Sequence, residues 1–227
     1  MKKILVVLTN YAQYGERKEA TGLWLGEATE FVREVKKAGF DVDYVSPNGG
    51  YVPIDPRSIK YASTEDLEMY NSEDFRTFAL ARSMKANEIK SANYCAIYFT
   101  GGHGVMWDFP HNEILHKISL DIFNNEGYLT SVCHGISALL YMKDWNDEWM
   151  IKGKHITGFT NSEEILSGKR NRVPFLNENI AKEHGAIFEK KRAYSEYAVQ
   201  DGQFITGQNP FSPKAVAKIL VKNLKKK

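Results

Sequence analysis

The run Ile4-Leu5-Val6-Val7-Leu8 is apolar at every position, with no alternating polar residue to face water. A strand of that kind has to be covered on both faces, which is the situation of strands in a parallel sheet with helices on either side. We read residues 2–9 as such a strand. A polar loop follows, and from Thr21 the positions Leu23, Leu25, Ala28, Phe31, Val32, Val35 and Ala38 recur at mostly helical spacing until Gly39 supplies a stop. A second strand-like run at 40–45 ends in the turn Ser46-Pro47-Asn48-Gly49-Gly50. The opening fifty residues are therefore β-α-β.

The polar stretch 51–90, with Pro53, Pro56 and a helical segment near 74–84, reads as an excursion, and it is a candidate to cover a cleft. Beyond it the alternation resumes. Strands are expected at 94–100, 128–132, 154–159 and 204–206, and helices at about 112–125, from Cys133 to residue 140, and at 162–166, 174–184 and 212–224. Strands alternating with helices over the whole length predict one α/β domain spanning 1–227, with a mainly parallel sheet and helices on both faces. At 227 residues such a domain buries enough apolar surface to need no disulfide framework.

Charge and cysteine content narrow the function. Thirty Lys and Arg against 28 Asp and Glu leave a net charge of +2, which lacks the basic excess that phosphate-backbone binding draws on, so no nucleic-acid partner is expected. The three closing lysines, residues 225–227, suit the C-terminal end of a helix dipole. Met1-Lys2-Lys3 and the apolar run imitate a secretion signal, but the run stops at Thr9-Asn10, short of the roughly seven apolar residues required. No stretch approaches the ~18 apolar residues of a membrane span, so no membrane partner is expected. Two cysteines, Cys95 and Cys133, make neither a disulfide scaffold nor a four-ligand zinc site, and free thiols suit a cytoplasmic location.

In open parallel sheets ligands sit outside the carboxyl ends of the strands. Two glycine-rich junctions fall there. Gly101-Gly102-His103-Gly104 is neither the dinucleotide fingerprint nor a P-loop, and its glycines are better suited to bringing backbone N–H groups near a reacting atom. Ser131-Val132-Cys133-His134-Gly135 has the form of a nucleophile elbow, with small residues two before and two after Cys133. A cysteine that opens a helix is expected to have a lowered pKa. Cys95, in the middle of a strand, reads as buried and inert.

Acidity alone gives little. Taking a thiol from about 8.5 to about 5.5 raises the thiolate fraction at pH 7 about 30-fold, while a Brønsted slope near ~0.45 removes about 20-fold of nucleophilicity. Positioning and oxyanion donors must supply the rest, and the backbone N–H groups of Gly102 and His134 are the candidates.

Taken with Gly22-Leu23-Trp24-Leu25-Gly26-Glu27, Trp107-Asp108, Thr157-Gly158-Phe159-Thr160-Asn161 and Thr206-Gly207-Gln208-Asn209-Pro210, these junctions resemble the DJ-1/ThiJ/PfpI superfamily, and within it the Hsp31-like branch of glutathione-independent glyoxalases (glyoxalase III). The resemblance implies a flavodoxin-like three-layer α/β sandwich, a homodimer, and a dicarbonyl chemistry needing no metal and no organic cofactor. It carries the nucleophile onto Cys133, the triad histidine onto His134, a sulfur-contacting glutamate onto Glu27 and the triad acid onto Glu164, with Glu163 as the fallback. His103 and Trp107 are carried as cleft residues.

Ile136 stands where many members have proline, and Ser131 where alanine is common. The extended amino-terminal region and extra domain of the longest Hsp31 proteins are not matched, which weakens any carry-over of their chaperone activity or metal site. The resemblance extends to class I glutamine amidotransferases, but their later His-x-Glu is missing, since His155 is followed by Ile156-Thr157 and His184 by Gly185-Ala186. Rival readings are a cysteine-dependent amidase, peptidase or protein deglycase, and a holdase chaperone or cysteine oxidation sensor.

Overall fold

The computed structural model describes residues 3–226, so Lys2 of the first expected strand and Lys227 of the terminal charge run lie outside it. Among the described residues nine strands form, β1 Lys3–Val7, β2 Val42–Ser46, β3 Met84–Lys85, β4 Tyr94–Phe99, β5 Tyr128–Val132, β6 His155–Ile156, β7 Ile187–Phe188, β8 Ala198–Asp201 and β9 Phe204–Gly207. The α-helices are α1 Leu25–Lys37, α2 Thr64–Asn71, α3 Val105–Asp108, α4 Glu113–Asn124, α5 Ser137–Leu140, α6 Asn161–Leu166, α7 Asn177–Glu183 and α8 Pro213–Leu224. Seven strands make one sheet in the order β3-β2-β1-β4-β5-β9-β8, parallel throughout except for the β8/β9 hairpin. This is the flavodoxin-like α/β arrangement expected.

The apolar run of β1 does what its composition requires. Ile4 and Val6 enter the core shared with Phe31 and Val35 of α1 and Val216 and Leu220 of α8, while Leu5 and Val7 enter the opposite core with Leu115 and Ile122 of α4. Phe31 stacks on Tyr98 of β4 at a 3.6 Å centroid distance, and the Tyr98 hydroxyl donates to the Glu27 carbonyl at 2.8 Å. These two contacts fix the first turns of α1 over the carboxyl end of the sheet.

Several expected boundaries move. The helix begins at Leu25 rather than Thr21, because Leu23 donates its N–H to the Pro53 carbonyl and pairs with Ile54 in extended conformation. Residues 133–140 are not one regular helix but a 3-10 turn, Cys133–Ile136, followed by the single turn of α5. Only His155–Ile156 of the expected 154–159 strand is extended, and it pairs with β7 outside the main sheet. The 74–84 segment narrows to a π-type helix, Phe75–Ala81. Strands β3, β7 and β8, not anticipated, are two to four residues long, too short for a hydrophobic period to register. Among the described residues no helix is long and apolar enough to cross a membrane.

Candidate functional site

At the end of β5 the chain passes from extended Val132 to Cys133 with φ 57, a left-handed conformation that a residue with a Cβ adopts only under constraint. Gly135 makes the turn possible, since a Cβ there would stand 2.3 Å from the Phe99 carbonyl oxygen. Cys133 is 2% exposed, yet it lines a cavity of about 530 Å³ together with Gly102, His103 and His134. Trp24, Tyr61, Phe159, Tyr194 and Phe211 give that cavity an aromatic rim.

Two buried carboxyl groups flank the sulfur. Glu27, fully buried in the first turn of α1, lies against Gly101, where a Cβ would come within 2.3 Å of its Oε2. Burial pushes its pKa well up, opposed by the nearby Cys133 thiol and Gly101 N–H, although neither carboxyl oxygen completes a well-formed hydrogen bond. Glu164, from α6, lies beyond His134 and takes Nε2 at 2.8 Å on Oε2. Its other oxygen takes His103 Nε2 at 2.8 Å and the Ser167 hydroxyl at 3.1 Å. Against the upward push of burial, the two imidazoles and the N–H bonds they direct at it hold Glu164 well below the usual carboxylate range.

Glu163 is turned the other way. Its carboxylate accepts from Thr160, from the Tyr194 backbone and from the side chains of Gln208 and Asn209, all at 2.8 or 2.9 Å. It thus ties the 157–161 motif to the 206–210 motif, and that is why those motifs accompany the site.

His134 Nδ1 is 3.3 Å from Cys133 Sγ, and its ring packs on Phe159 at 4.3 Å. The thiol does not have the lowered pKa expected from a helix start. Burial is the largest cause pushing it up, outweighing the His134 backbone N–H that favours the thiolate. A 3-10 turn and one helical turn carry too small a dipole to win against a dry pocket and a neighbouring carboxyl.

Trp107 does not line the cavity as expected. Its indole stacks on Tyr11 at 5.2 Å, and its neighbour Asp108 accepts from Thr9 and Asn10 at 2.7 to 2.9 Å, clamping the end of β1. Burial raises the Asp108 carboxyl to about 7. Cys95, expected to be buried, is partly exposed, with its Sγ 3.4 Å from the Lys3 carbonyl.

The 51–90 excursion contributes one wall of the cavity through Arg57, Lys60 and Tyr61. Arg57, not singled out from the sequence, donates to Asp55 and to His103 Nδ1 at 3.1 Å. Its only sequence signal was a charged Asp55-Pro56-Arg57 turn. His103, His134 and Glu164 are the one cluster among the described residues whose donor atoms sit close enough together for a metal ion, within 4.8 Å, but those atoms are already bonded to one another.

Residues 19–223 match the family described as the DJ-1/PfpI family. Glyoxalase 3 of Candida albicans is 28% identical over 93% of this chain and 94% of its own length, and a solved structure of glyoxalase III from that organism superposes with a TM-score of 0.86 over 97% of this chain and 96% of its own. A glutathione-independent glyoxalase of Schizosaccharomyces pombe is 30% identical over 97% of this chain and 96% of its own. The Rapid Encystment Protein 24 kDa of Francisella tularensis, 35% identical, gives a TM-score of 0.95 over 99% of both chains.

Proposed function

The chain belongs to the DJ-1/PfpI family, and on that premise we propose that it is a glutathione-independent glyoxalase, acting as a single DJ-1/PfpI-like domain over 1–227 and converting methylglyoxal and water to lactate at Cys133. One observation carries the reading: Cys133 Sγ opens onto the cavity between a buried carboxyl, Glu27, and a histidine nitrogen 3.3 Å away. Two relatives named as glyoxalases, similar over nearly their whole length, support it.

Burial pushes the thiol toward its protonated form, and His134 Nδ1, 3.3 Å from the sulfur, is the base placed to receive its proton. His134 Nδ1 takes the thiol proton as the sulfur bonds to the aldehyde carbon, and the carbonyl electron pair moves onto oxygen. The Gly102 and His134 backbone N–H groups are our candidates to hold that oxyanion. The neutral carboxyl of Glu27 then protonates it, completing the hemithioacetal and leaving Glu27 as a carboxylate.

That carboxylate removes the C1 hydrogen as the His134 imidazolium protonates the ketone oxygen, giving an enediol. Glu27 returns the proton to C2 while His134 takes the C1 hydroxyl proton, leaving a thioester. Water attacks the thioester carbonyl, giving one proton to the Glu27 carboxylate, and the sulfur departs with the proton of the His134 imidazolium; the lactic acid released loses its acid proton to solvent, leaving Glu27 protonated and His134 neutral as at the start. Oxidation of C1 and reduction of C2 are internal, so no external electron carrier enters the balance.

The test is incubation with methylglyoxal in the absence of glutathione, following dicarbonyl loss and lactate gain. Many turnovers per chain are expected. Consumption that stops at one equivalent per chain would overturn the assignment and leave a merely reactive thiol.

A further inference from the structure

The triad geometry continues past Glu164. His103 Nε2 meets Glu164 Oε1 at 2.8 Å, and His103 Nδ1 lies 3.1 Å from Arg57 Nη2. Arg57 Nη2 has two hydrogens for three neighbours, Asp55, Tyr14 and His103 Nδ1, and a guanidinium only donates and repels an N–H, so His103 Nδ1 faces it with its lone pair and the ring's proton sits on Nε2, pointing at Glu164. With Oε1 occupied in this way, Oε2 is left facing His134 Nε2, and His134 Nδ1 is left facing the sulfur.

Arg57 is itself anchored. Its Nε and Nη2 bond the carboxylate of fully buried Asp55 at 3.0 and 2.6 Å, and Nη2 also bonds the Tyr14 hydroxyl. Asp55 is fixed in turn by Thr21 at 3.0 Å.

We propose that Arg57 and His103 are positioning residues: Arg57 locks the Nε2–H tautomer of His103, and His103 holds Glu164 so that the Cys133–His134 pair stays aligned. The kinetic part of this proposal rests on the glyoxalase reading. Neither residue is a proton donor or acceptor in the reaction; both act through Glu164.

The groups facing His103 are Glu164 from α6, His134 after β5, Arg57 from the excursion and the Tyr14 ring from the loop after β1, with Asp55 and Lys169 one contact further out. Burial, then His134, push His103 down to about 4, the Glu164 bond opposing and Arg57 adding to the fall, so the imidazole stays neutral through the working range. Removing the Arg57 charge frees Nδ1 to take a proton. His103 then carries a positive charge beside His134 and opposes the imidazolium that forms there during thiol addition.

The experiment uses the full chain labelled with ¹⁵N. Imidazole nitrogen spectra of the wild type should show His103 as the neutral Nε2–H tautomer from pH 5.5 to 8. Arg57→Met should populate the other tautomer or the imidazolium, and move the acid limb of the kcat profile up by about one pH unit. His103→Phe should lower kcat by about 10–100-fold, the scale of a misaligned catalytic pair, with KM changed less than about threefold. His103→Gln, whose amide N–H reaches Glu164, should restore most of that loss.

An Nδ1–H tautomer in the wild type, or equal impairment in His103→Phe and His103→Gln, overturns the proposal. Should Arg57→Met not fold, the wild-type spectrum and the His103 pair still decide it. Absence of turnover in the wild type would remove the glyoxalase reading while leaving the tautomer measurement to judge the Arg57–His103 arrangement.

Discussion

Glu27 and Glu164 are the same side chain, both buried and one on each side of Cys133–His134, yet they face opposite electrostatic surroundings. Glu164 has a donor for each oxygen and two imidazoles beside it, so the charged form is held in place. Glu27 has a glycine backbone, a thiol and hydrocarbon around it, so the neutral form is favoured. Two carboxyl groups pushed apart in this way take different roles: a fixed anion that orients a base, and an acid that can release and recover a proton. Identity and burial do not assign the role; the count of donors aimed at each oxygen does.

The sharpest challenge to this contrast starts with the group between the two acids. Cys133→Ser should lower lactate formation by about 10³-fold or more, since the hydroxyl at the same place is far less nucleophilic, and steady-state turnover measures it. Glu27→Gln should lower kcat by about 10²–10³-fold by removing the exchangeable proton, while leaving the melting temperature unchanged or higher. A Glu27→Gln protein that melts well below the wild type would break the contrast, because it would mean that the carboxyl is needed for stability.

Glu164→Gln should behave in the opposite sense. It removes an anion that two N–H groups are aimed at, costing about 3 kcal/mol of unfolding free energy in denaturant titration as well as activity.

The two acids also differ in how they make stability depend on pH. Glu27 has its folded pKa raised above 4.5, so the folded chain binds more protons there, and its contribution declines as pH rises above about 4.5 toward the folded value. Glu164 has its folded pKa lowered below 4.5, so its contribution is fully present above about 4.5 and is lost as pH falls toward the folded value. Urea midpoints measured from pH 4.5 upward should therefore fall less steeply in Glu27→Gln than in the wild type. Parallel profiles would show that Glu27 is not the group responsible. The smallest expected effect is at the rim, where Tyr61→Ala should raise KM by about two- to fivefold with kcat unchanged, since that ring lines the cavity.

Much of the architecture was legible because it follows from local rules. The unrelieved apolar run of β1 demanded cover on both faces, and the small residues around Cys133 announced a tight turn. Glu27 became a candidate only through resemblance, since a glutamate in an amphipathic helix carries no mark of the face it takes. Arg57 was invisible for a related reason: it meets His103 across 46 residues, and no local period encodes that meeting. The lowered thiol pKa failed because it was inferred from a helix start alone, whereas the finished pocket removes water and adds a carboxyl.

From its order of residues the chain had already settled the parallel sheet, the elbow and the place of Cys133 at its tip, because each depends on hydrophobic periodicity or on steric demands within a few positions. Folding in three dimensions alone decided which glutamate reaches His134, that the sulfur is buried in surroundings that push its pKa up, and that Arg57 stands behind the histidines. Protonation and orientation depend on desolvation and on donors brought together from distant segments, and those exist only once the layers have closed around them.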